Sequence, residues 1–340
     1  MGKRQPPAGR GGRVTMADVA QRAGVSVTTV SLVMNDRPGS GISTATRDRV
    51  LDAVRALEYR RNRTAANLRL SRTQILGLHV TESMLTRPSP FALSLLPALI
   101  READKRHYQV MTFTDRDNGI DRIADLCGQR AVDGFVLTDS AVDDPRARYL
   151  AAQRFPFACM GRLAPDLPQH WVDIDNRAAI RTALDHLASR GHTTVAIAAP
   201  REDGYWWDER IEAFLEWSRE HGVARPEHWV VRAPMSHLAP RVNALLADRG
   251  PTALVAAGDG AVVPCYRAAQ ALGLRVGRDL AIVGFDPELW MLDPPLTTLT
   301  VPFPRLAESL VDRIDRQVAG LAPSHQGTLV RSELIVRESG

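Results

Sequence analysis

The sequence contains few cysteines and no long hydrophobic run. Its 340 residues include three cysteines that stand far apart and form no CxxC pair, namely Cys127, Cys159 and Cys265. This odd and scattered set excludes a disulfide framework and a zinc finger. No apolar stretch approaches the ~20 residues that a membrane-spanning helix needs, and the basic, Pro/Gly-rich start lacks the apolar core of a secretory signal. We therefore expect a cytoplasmic protein with reduced thiols and no membrane partner.

Short enzyme motifs are also missing. The sequence has no GxGxxG after a predicted strand, no GxxxxGK[ST] and no GxSxG, which mark dinucleotide, nucleotide and serine-hydrolase sites. The nine histidines are scattered, and His192, which precedes a predicted strand, has the position of a structural residue. Asp173 and Asp175 could form a metal pair, but Asp175 precedes an alanine-rich helix and is more typical of a helix cap. We expect no enzyme activity, no metal and no cofactor.

Charge is distributed unevenly along the chain. Residues 1–72 contain fourteen basic and five acidic side chains, a net charge of +9, whereas the remaining 268 residues contain 29 basic and 34 acidic ones, a net charge of −5. A small basic segment joined to a larger, mildly acidic one indicates a nucleic-acid-binding head on a soluble body. Charge alone is also compatible with a solubilising tail, so the head has to be recognised by its motif.

Capping residues divide the basic segment into short helices. Thr15 and Asp18 have the spacing of a capping box, and Gly24 can end the first helix because glycine tolerates a left-handed turn. Ser26 can cap a second helix, and two short helices joined by a tight turn containing glycine are the signature of a helix-turn-helix. Ser43 can cap a third helix. The pattern predicts an all-α head of three helices.

The stretch NRTAANLRL at residues 62–70 follows this head. It can form a helix but has little apolar surface to bury, so that the helix would be marginal by itself. Such a segment between two domains is typical of a linker, or of a segment that orders when it binds.

Three parts of the head and linker resemble the lactose-repressor (LacI/GalR) family in its DNA-binding head and hinge: VTMADVAQRAGVSVTTVSLVMN, ISTATRDRVLDAVRALEY and NRTAANLR. The match covers residues 14–72 with order and spacing intact. The resemblance implies double-stranded DNA with a pseudo-palindromic operator as the partner, read by a homodimer. It further implies that Ser26 to Asn35 form the recognition helix, with Val27 and Thr28 at base-reading positions, and that Leu68 enters the minor groove. The implied DNA-binding residues are Thr15, Ser26, Val27, Thr28, Ser31, Leu32, Asn35, Ser43, Thr46, Asn62 and Leu68.

This head departs from the family pattern at two positions. Leu32 stands where the best-known member has a base-contacting arginine, so that a guanine contact is lost and readout of a thymine methyl group or of DNA shape can replace it. Arg61 replaces a proline that is common before the hinge. Alternative roles remain open, because Thr28 and Ser31 could be ordinary surface hydroxyls and Leu68 could pack between domains.

The rest of the chain alternates short apolar runs with helical stretches. Strands are predicted at 75–80, 109–114, 134–138, 156–160, 194–200, 252–258 and 280–285. Near-continuous apolar strands that alternate with helices indicate parallel sheets covered on both faces. About 265 residues of this pattern fit two doubly wound lobes. Ligands of such sheets bind at the carboxyl ends of the strands, which places a ligand in the cleft between the lobes.

This body resembles the effector-binding core of the same family, which is like the periplasmic sugar-binding proteins, in the motifs RAVDGFVL, PFACMGR, WVDIDN, LASRGHTTVAIA, VGFD and PPLTTLTVPF. The resemblance implies that Arg210 and Asp286 hold effector hydroxyls, while aromatic side chains cover an apolar sugar face. Gly258 stands where sugar-binding members often have asparagine, so that an amide donor is lost, and Ala213 replaces a common glycine. Surface pairing, capping or core packing remain alternatives for these side chains. The implied effector-binding residues are Phe91, Trp206, Arg210, Asp259, Asp286 and Phe303.

Together these observations predict five segments. They are a disordered basic tail at 1–13, a helix-turn-helix domain at 14–61, a hinge at 62–73, a first lobe at about 74–172 and 302–325, and a second lobe at about 173–301 and 326–340. The predicted function is a transcriptional regulator, a repressor of a sugar-utilisation operon controlled by a small-molecule effector, with a sugar expected. The alternative is a sugar-binding α/β protein with a vestigial head. No leucine-heptad tail follows residue 325, so we expect no tetramer formed through a C-terminal coiled coil; the homodimer is what the resemblance implies.

Overall fold

The computed structural model describes most of the chain as two compact units, residues up to 72 and residues from 73 onward. The described residues are 14–34, 41–59, 72–81, 84–85, 90–114, 120–202, 204–248, 250–285, 292–321 and 326–340. Within these ranges, none of the helices combines the length and the apolar composition of a membrane span. The predicted tail at 1–13 and most of the predicted hinge lie outside the described residues.

The described residues of the first unit form three helices, α1 (Met16–Ala23), α2 (Val27–Met34) and α3 (Thr44–Ala56). Each helix contributes a valine to a shared core, because Val19, Val30 and Val50 have no measurable exposure. The helices are too short to be stable alone. Their mutual packing therefore holds the head together.

The predicted caps of the head are confirmed. The Thr15 hydroxyl accepts the N–H of Asp18, and the Asp18 carboxylate accepts the N–H of Thr15 at 2.8 Å, which completes the capping box. Gly24 ends α1 with φ 64°, a left-handed conformation that favours glycine. The Ser26 hydroxyl accepts the N–H of Thr29 at 3.0 Å, and Ser43 caps α3.

In the second unit, the described residues form two six-stranded sheets. The first sheet has the order β11-β5-β4-β3-β1-β2, and all of its pairs are parallel. Its strands are β1 (Ile75–His79), β2 (Gln109–Phe113), β3 (Gly134–Leu137), β4 (Phe157–Met160), β5 (Trp171–Ile174) and β11 (Thr328–Val330). The helices that pack on it are α4 (Pro90–Lys105), α5 (Ile120–Gly128), α6 (Pro145–Ala152) and α11 (Phe303–Val318).

The second sheet has the order β12-β10-β9-β8-β6-β7, and only its last strand in the chain, β12, pairs in the antiparallel sense. Its strands are β6 (Val195–Pro200), β7 (Val230–Ala233), β8 (Ala253–Ala256), β9 (Ala281–Phe285), β10 (Thr297–Leu299) and β12 (Leu334–Ile335). The helices that pack on it are α7 (Asn176–Ser189), α8 (Tyr205–Glu220), α9 (Met235–Ala247) and α10 (Asp259–Ala271).

Alternate residues of the inner strands enter different cores, as expected for sheets covered on both faces. In β6, Ile197 belongs to the core that contains residues of α7 and α8. Its neighbours Ala196 and Ala198 belong to the core that contains residues of α9 and α10. The predicted doubly wound architecture follows from this alternation.

The expected lobe boundaries shift in two places. Asp173 and Ile174, which we expected in the second lobe, belong to β5 of the first sheet. Residues 328–330, also expected in the second lobe, form β11 and pair with β5. The chain therefore crosses between the lobes after β5, between β10 and α11, and again between β11 and β12. The assignment of residues 328–330 to the second lobe was wrong because a strand of three residues is too short to show a periodicity.

Asp175 and His192 have the structural roles that the sequence predicted for them. The Asp175 carboxylate accepts the N–H of Ala178 at 3.0 Å and caps α7. His192 Nδ1 lies 2.9 Å from the hydroxyl of Thr252 and joins two loops at the amino-terminal edge of the second sheet. Asp175 is thus a cap, as predicted, rather than half of a metal pair.

Candidate DNA-binding and effector sites

Helix α2 has one face in the head core and one face on the surface. Val30 and Val33 are buried, whereas Val27 and Thr28 are exposed, and Val27 leaves 43% of its surface accessible. An exposed valine at the start of a helix suits a base-reading position, because the thymine methyl group offers an apolar contact in the major groove. The structure presents this pair on the surface, as a recognition helix requires.

Three of the predicted DNA-binding hydroxyls lie at helix N-termini. Thr15, Ser26 and Ser43 each precede a helix, accept a backbone N–H there and are exposed. Helix N-termini attract phosphate because their backbone N–H groups and the helix dipole point outward. Of the other predicted DNA-binding residues, Ser31, Leu32 and Thr46 are half-buried, and Asn35, Asn62 and Leu68 lie outside the described residues.

Arg210 occupies the second turn of α8, at the carboxyl edge of the second sheet, and is 7% exposed. Its Nε donates to the side-chain oxygen of Asn176 at 2.8 Å, and its Nη1 donates to the carbonyl of Ala257 at 2.6 Å. The guanidinium carbon lies 3.9 Å from the centre of the Phe285 ring. Because the side chain is buried, the alternative of a surface salt bridge is wrong. Stacking on Phe285 and the hydrogen bonds to Asn176 and Ala257 hold the guanidinium in a fixed orientation.

Gly258 follows β8 and explains one departure from the family pattern. A β-carbon at this residue would lie 2.5 Å from Trp207 Cη2 and 2.6 Å from Trp207 Cζ3. The backbone there is extended, with φ 172°, so that glycine is needed for space rather than for conformation. The indole of Trp207 therefore occupies the place of a side chain at residue 258.

The predicted aromatic residues form two separate contacts. Phe91 of α4 and Phe303 of α11 lie with ring centres 5.3 Å apart in the first lobe. Trp206 contacts Tyr205 and Trp207 at the start of α8. Phe303 is buried and contributes to the core, whereas Phe91 and Trp206 are half-buried. The structure thus brings Phe91 and Phe303 together and gives Trp206 different neighbours.

The side chains of two predicted effector-binding acids, Asp259 and Asp286, lie outside the described part of the chain. Asp259 is the first residue of α10, but its side chain lies outside the described part of the chain. All of Asp286 lies outside it as well. Both assignments therefore stay predictions.

A polar cluster that the sequence did not reveal joins the two lobes. The Tyr205 hydroxyl donates to the Asp173 carboxylate at 2.8 Å and accepts the N–H of Arg162 at 2.6 Å. The Arg162 guanidinium pairs with Glu209 at 2.8 Å. Arg162 and Asp173 belong to the first lobe, while Tyr205 and Glu209 belong to α8 of the second. The only signal available was the i, i+4 spacing of Tyr205 and Glu209, which places them on one face of a helix.

Burial of this cluster perturbs its acid. Desolvation raises the pKa of Asp173 to about 6, against the lowering effect of the bonds from Tyr205 and from the N–H of Ile174. The nearby Glu209 raises the pKa further and Arg162 lowers it. Burial next to Asp173 also raises the pKa of the Tyr205 hydroxyl well above its usual range, so that this group stays protonated and acts as a donor.

A second buried arginine organises the carboxyl edge of the first sheet. Arg146 forms an ion pair with Asp144 at 2.6 Å, lies 2.7 Å from His79 Nδ1 and donates to the carbonyl of Thr138. These contacts fix the loops after β1 and β3, where the first lobe would face a ligand. Within the described ranges, no group of three His, Cys, Asp or Glu side chains could hold a metal ion.

Comparison with known proteins identifies the family. Residues 15–62 match the family described as bacterial regulatory proteins, lacI family, and residues 184–340 match the periplasmic binding protein-like domain. The chain is 30% identical over 339 residues to the HTH-type transcriptional regulator reg1 of Streptomyces lividans, and the alignment covers 95% of this chain and 96% of that protein. The chain belongs to the lacI family of bacterial regulatory proteins.

Two solved structures have a similar fold across nearly the whole chain. The lac repressor dimer bound to operator and the anti-inducer ONPF is 25% identical with a TM-score of 0.74, covering 96% of this chain and 99% of that one. The complex of the transcriptional regulator CelR with cellobiose is 27% identical with a TM-score of 0.69, covering 96% and 100%.

These likenesses confirm the predicted family and the predicted fold class, a helix-turn-helix head with two α/β lobes. As a member of the lacI family, the protein is a DNA-binding transcriptional regulator. The relatives that it matches are named as regulators and not as enzymes, in agreement with the missing enzyme motifs.

Proposed function

We propose that the protein is a repressor that binds a pseudo-palindromic operator as a homodimer and responds to a carbohydrate effector held between its lobes. The observation that carries the DNA-binding part is the exposed start of α2, where Val27 and Thr28 stand on a head with a net charge of +9. A positive head supplies affinity for phosphate, while exposed side chains on one helix supply base readout.

Self-association is supported by an apolar stripe on α4. Leu93, Pro97 and Ile100 are exposed at i, i+4 and i+7, with Leu93 60% and Ile100 49% accessible. Large apolar side chains grouped on one helix face are typical of an interaction surface. Helix α4 packs beside β2, the edge strand of the first sheet. This face of the first lobe would meet the same face of a second copy.

A carbohydrate effector is supported by the chemistry at the cleft edge. Arg210 offers a guanidinium, which binds hydroxyl or carboxylate oxygens through charge-assisted hydrogen bonds. The half-buried rings of Phe91 and Trp206 offer apolar surface of the kind that covers a sugar ring. A similar solved structure, that of the transcriptional regulator CelR, is a complex with cellobiose. The proposed effector-binding residues remain Phe91, Trp206, Arg210, Asp259, Asp286 and Phe303.

The DNA-binding proposal is tested by selecting an operator from a random palindromic library and measuring affinity by electrophoretic mobility shift. We expect the double variant Val27→Ala, Thr28→Ala to relax the preference for particular bases, at a cost of about 1–3 kcal/mol for each lost contact. Thr182→Ala, on the exposed surface of α7, is the matched control and should bind like the wild type. Absence of any sequence-specific shift would refute the proposal.

The effector proposal is tested by thermal shift with a panel of monosaccharides and disaccharides. A ligand present at about 100 times its Kd should stabilise the protein by roughly 2.7 kcal/mol. Arg210→Ala should remove this stabilisation and also the effect of the same sugar on operator affinity. A full sugar response in Arg210→Ala would place the effector elsewhere.

A further inference from the structure

A chain of hydrogen bonds runs from Arg210 in the second lobe to the backbone of the first lobe. We name it the interlobe chain, and its members are Arg210, Asn176, Glu209, Arg162, Tyr205 and Asp173. Every contact in it is between described side chains or backbone atoms, and the two lobes meet in it twice, at the Arg162–Glu209 ion pair and at the Tyr205 hydroxyl.

Asn176 is the directional step of the interlobe chain. Its side-chain oxygen accepts from Arg210 Nε at 2.8 Å, and its side-chain nitrogen donates to the Glu209 carboxylate at 3.2 Å. An arginine can only donate and a carboxylate can only accept, so the amide is correct in one orientation alone. Asn176 is 1% exposed, so a broken bond would leave a buried polar group unsatisfied. A displacement of Arg210 therefore disturbs the hydrogen bond that Asn176 donates to Glu209.

Glu209 carries the chain across the lobe boundary. One carboxylate oxygen accepts from Asn176, and the other pairs with the Arg162 guanidinium at 2.8 Å. Arg162 is held by the ion pair and by its backbone N–H, which donates to the Tyr205 hydroxyl at 2.6 Å. Tyr205 and Glu209 are one turn apart on α8, so the helix moves both contacts together.

The Tyr205 hydroxyl closes the chain on the first sheet. It donates to Asp173 of β5 while it accepts from the N–H of Arg162, which follows β4. The fit is close, because a β-carbon at Gly161 would lie 3.2 Å from the Tyr205 oxygen. One hydroxyl thus joins α8 to the carboxyl ends of two neighbouring strands.

We propose that Tyr205, Glu209 and Asn176 are positioning residues that couple the orientation of Arg210 to the relative placement of the two lobes. This inference rests on the proposed function, in which Arg210 contacts the effector. A ligand that draws the guanidinium away from Asn176 breaks the chain at its directional step and loosens the lobe contact. A ligand that leaves this bond intact keeps the lobes as they are. Such a device gives an effector different affinities for two lobe arrangements, which any ligand response requires.

Coupling and a purely structural role both place these residues in contact. The two roles differ in what happens far from the altered residue. Under coupling, a change at Asn176 opens the bond that the N–H of Arg162, in the other lobe, donates to the Tyr205 hydroxyl. Under a structural role, the change affects the surroundings of Asn176 only.

Hydrogen exchange of the Arg162 amide in the full chain separates these outcomes without DNA or effector. Asn176→Asp keeps the oxygen that accepts from Arg210 but turns the group facing Glu209 from a donor into an acceptor. We expect exchange of the Arg162 amide to accelerate at least about fivefold, the low end of typical coupling between sites, relative to the amide of Val136 in β3. Tyr205→Phe should accelerate it directly.

The matched control is Tyr149→Phe, which removes a hydroxyl that makes no hydrogen bond to the described residues. It should leave exchange of the Arg162 amide unchanged. If Asn176→Asp accelerates exchange only near α7 and leaves the Arg162 amide at the wild-type rate, the coupling is refuted. Should the Asp variant fold poorly, Asn176→Ser removes the amide that links Arg210 to Glu209 without adding a charge, and the same exchange rates decide.

Operator affinity then connects the coupling to regulation. If the inference holds, Tyr205→Phe changes affinity for the selected operator by about fivefold or more in the absence of ligand, whereas Tyr149→Phe does not. Failure of wild-type protein to bind any operator would refute the proposed function, and exchange of the Arg162 amide would then decide by itself whether the interlobe chain couples the lobes. Normal operator binding with an unaltered Tyr205→Phe variant would refute the coupling alone.

Discussion

The close contact between Gly258 and Trp207 predicts that adding a single methyl group, in Gly258→Ala, destabilises the protein. In Gly258→Ala, the new β-carbon would lie 2.5 and 2.6 Å from two atoms of the indole, well inside van der Waals separation. Trp207 is 8% exposed and belongs to the core, so its ring cannot move into solvent. Residue 258 already has extended backbone that alanine adopts readily. The whole cost of the substitution is therefore steric.

Overpacking of this kind costs about 1–3 kcal/mol. A loss of ~2 kcal/mol corresponds to a fall in Tm of roughly 4–8 °C for a unit of this size. The same β-carbon would lie 3.4 Å from an Nη of Arg210, so the shift required of Trp207 also disturbs the guanidinium. We therefore expect Gly258→Ala to weaken any effector response that depends on Arg210.

Urea unfolding followed by circular dichroism measures the effect, since tryptophan fluorescence would report on Trp207 itself. Gly128→Ala is the matched control, because Gly128 ends α5 and a β-carbon there meets nothing within 4 Å. That change should be neutral or stabilising by about 0.4–1 kcal/mol. Trp207→Phe shortens the ring, so Gly258→Ala should cost less in that background. An equal cost in both backgrounds, or no cost at all, would refute the steric reasoning.

Three further predictions concern other parts of the molecule. Burial raises the pKa of Asp173 to about 6, so the native state keeps a proton that the unfolded state has lost, and stability should fall as pH rises between about 4 and 6, by up to ~1.4 kcal/mol per pH unit. Asp173→Asn should flatten this slope in thermal melts, and an unchanged slope would contradict the assignment. Thr15→Ala removes half of the capping box and should destabilise the head by about 0.5–2 kcal/mol in calorimetry, whereas an unaltered transition would show that the cap contributes nothing. Leu93→Glu places a charge in the apolar stripe of α4 and should raise the dimer dissociation constant in sedimentation, whereas an unaffected dimer would locate the interface elsewhere.

Much of the fold could be predicted from the sequence because its signals are local. The seven apolar runs predicted as strands all contain strands of the structure. Six of these strands are largely buried, and a buried parallel strand is a continuous hydrophobic run; the edge strand β2 is more exposed. The caps at Thr15, Ser26, Ser43 and Asp175 were equally readable, because the donor and acceptor of each cap lie within three residues.

The remaining strands depend on contacts that are distant in sequence. Residues 328–330 join the first sheet only because β5, more than 150 residues earlier, offers them an edge. Likewise, β12 is a two-residue strand defined by its pairing with β10. Nothing in three residues of mixed polarity identifies the partner strand, so lobe membership near the C-terminus could not be predicted.

The residues of the candidate site also divide into those that the sequence predicted and those that depend on contacts distant in sequence. Arg210 was found through the family resemblance, but its burial and its stacking on Phe285 were not foreseen, because they depend on Phe285 of β9 and on the carbonyl of Ala257 after β8, both distant in sequence. Tyr205 and Glu209 were missed, although Glu209 directly precedes Arg210 and Tyr205 lies one turn earlier on the same helix. Their partners Arg162 and Asp173 lie in the other lobe, and a polar residue on a helix is usually solvated unless the fold brings a partner to it.

The state of Arg210 has a consequence for any effector that binds there. The guanidinium already donates to Asn176 and to the carbonyl of Ala257, and its face is covered by Phe285. A ligand oxygen that takes one of these donors exchanges one hydrogen bond for another, and such an exchange adds little net affinity. Recognition by Arg210 then contributes mainly by changing which protein groups remain bonded. If the ligand takes the Nε donor that faces Asn176, the free energy of binding changes the contact between the lobes rather than producing tight binding. A regulator needs such a conformational response to its ligand, whereas a storage protein does not.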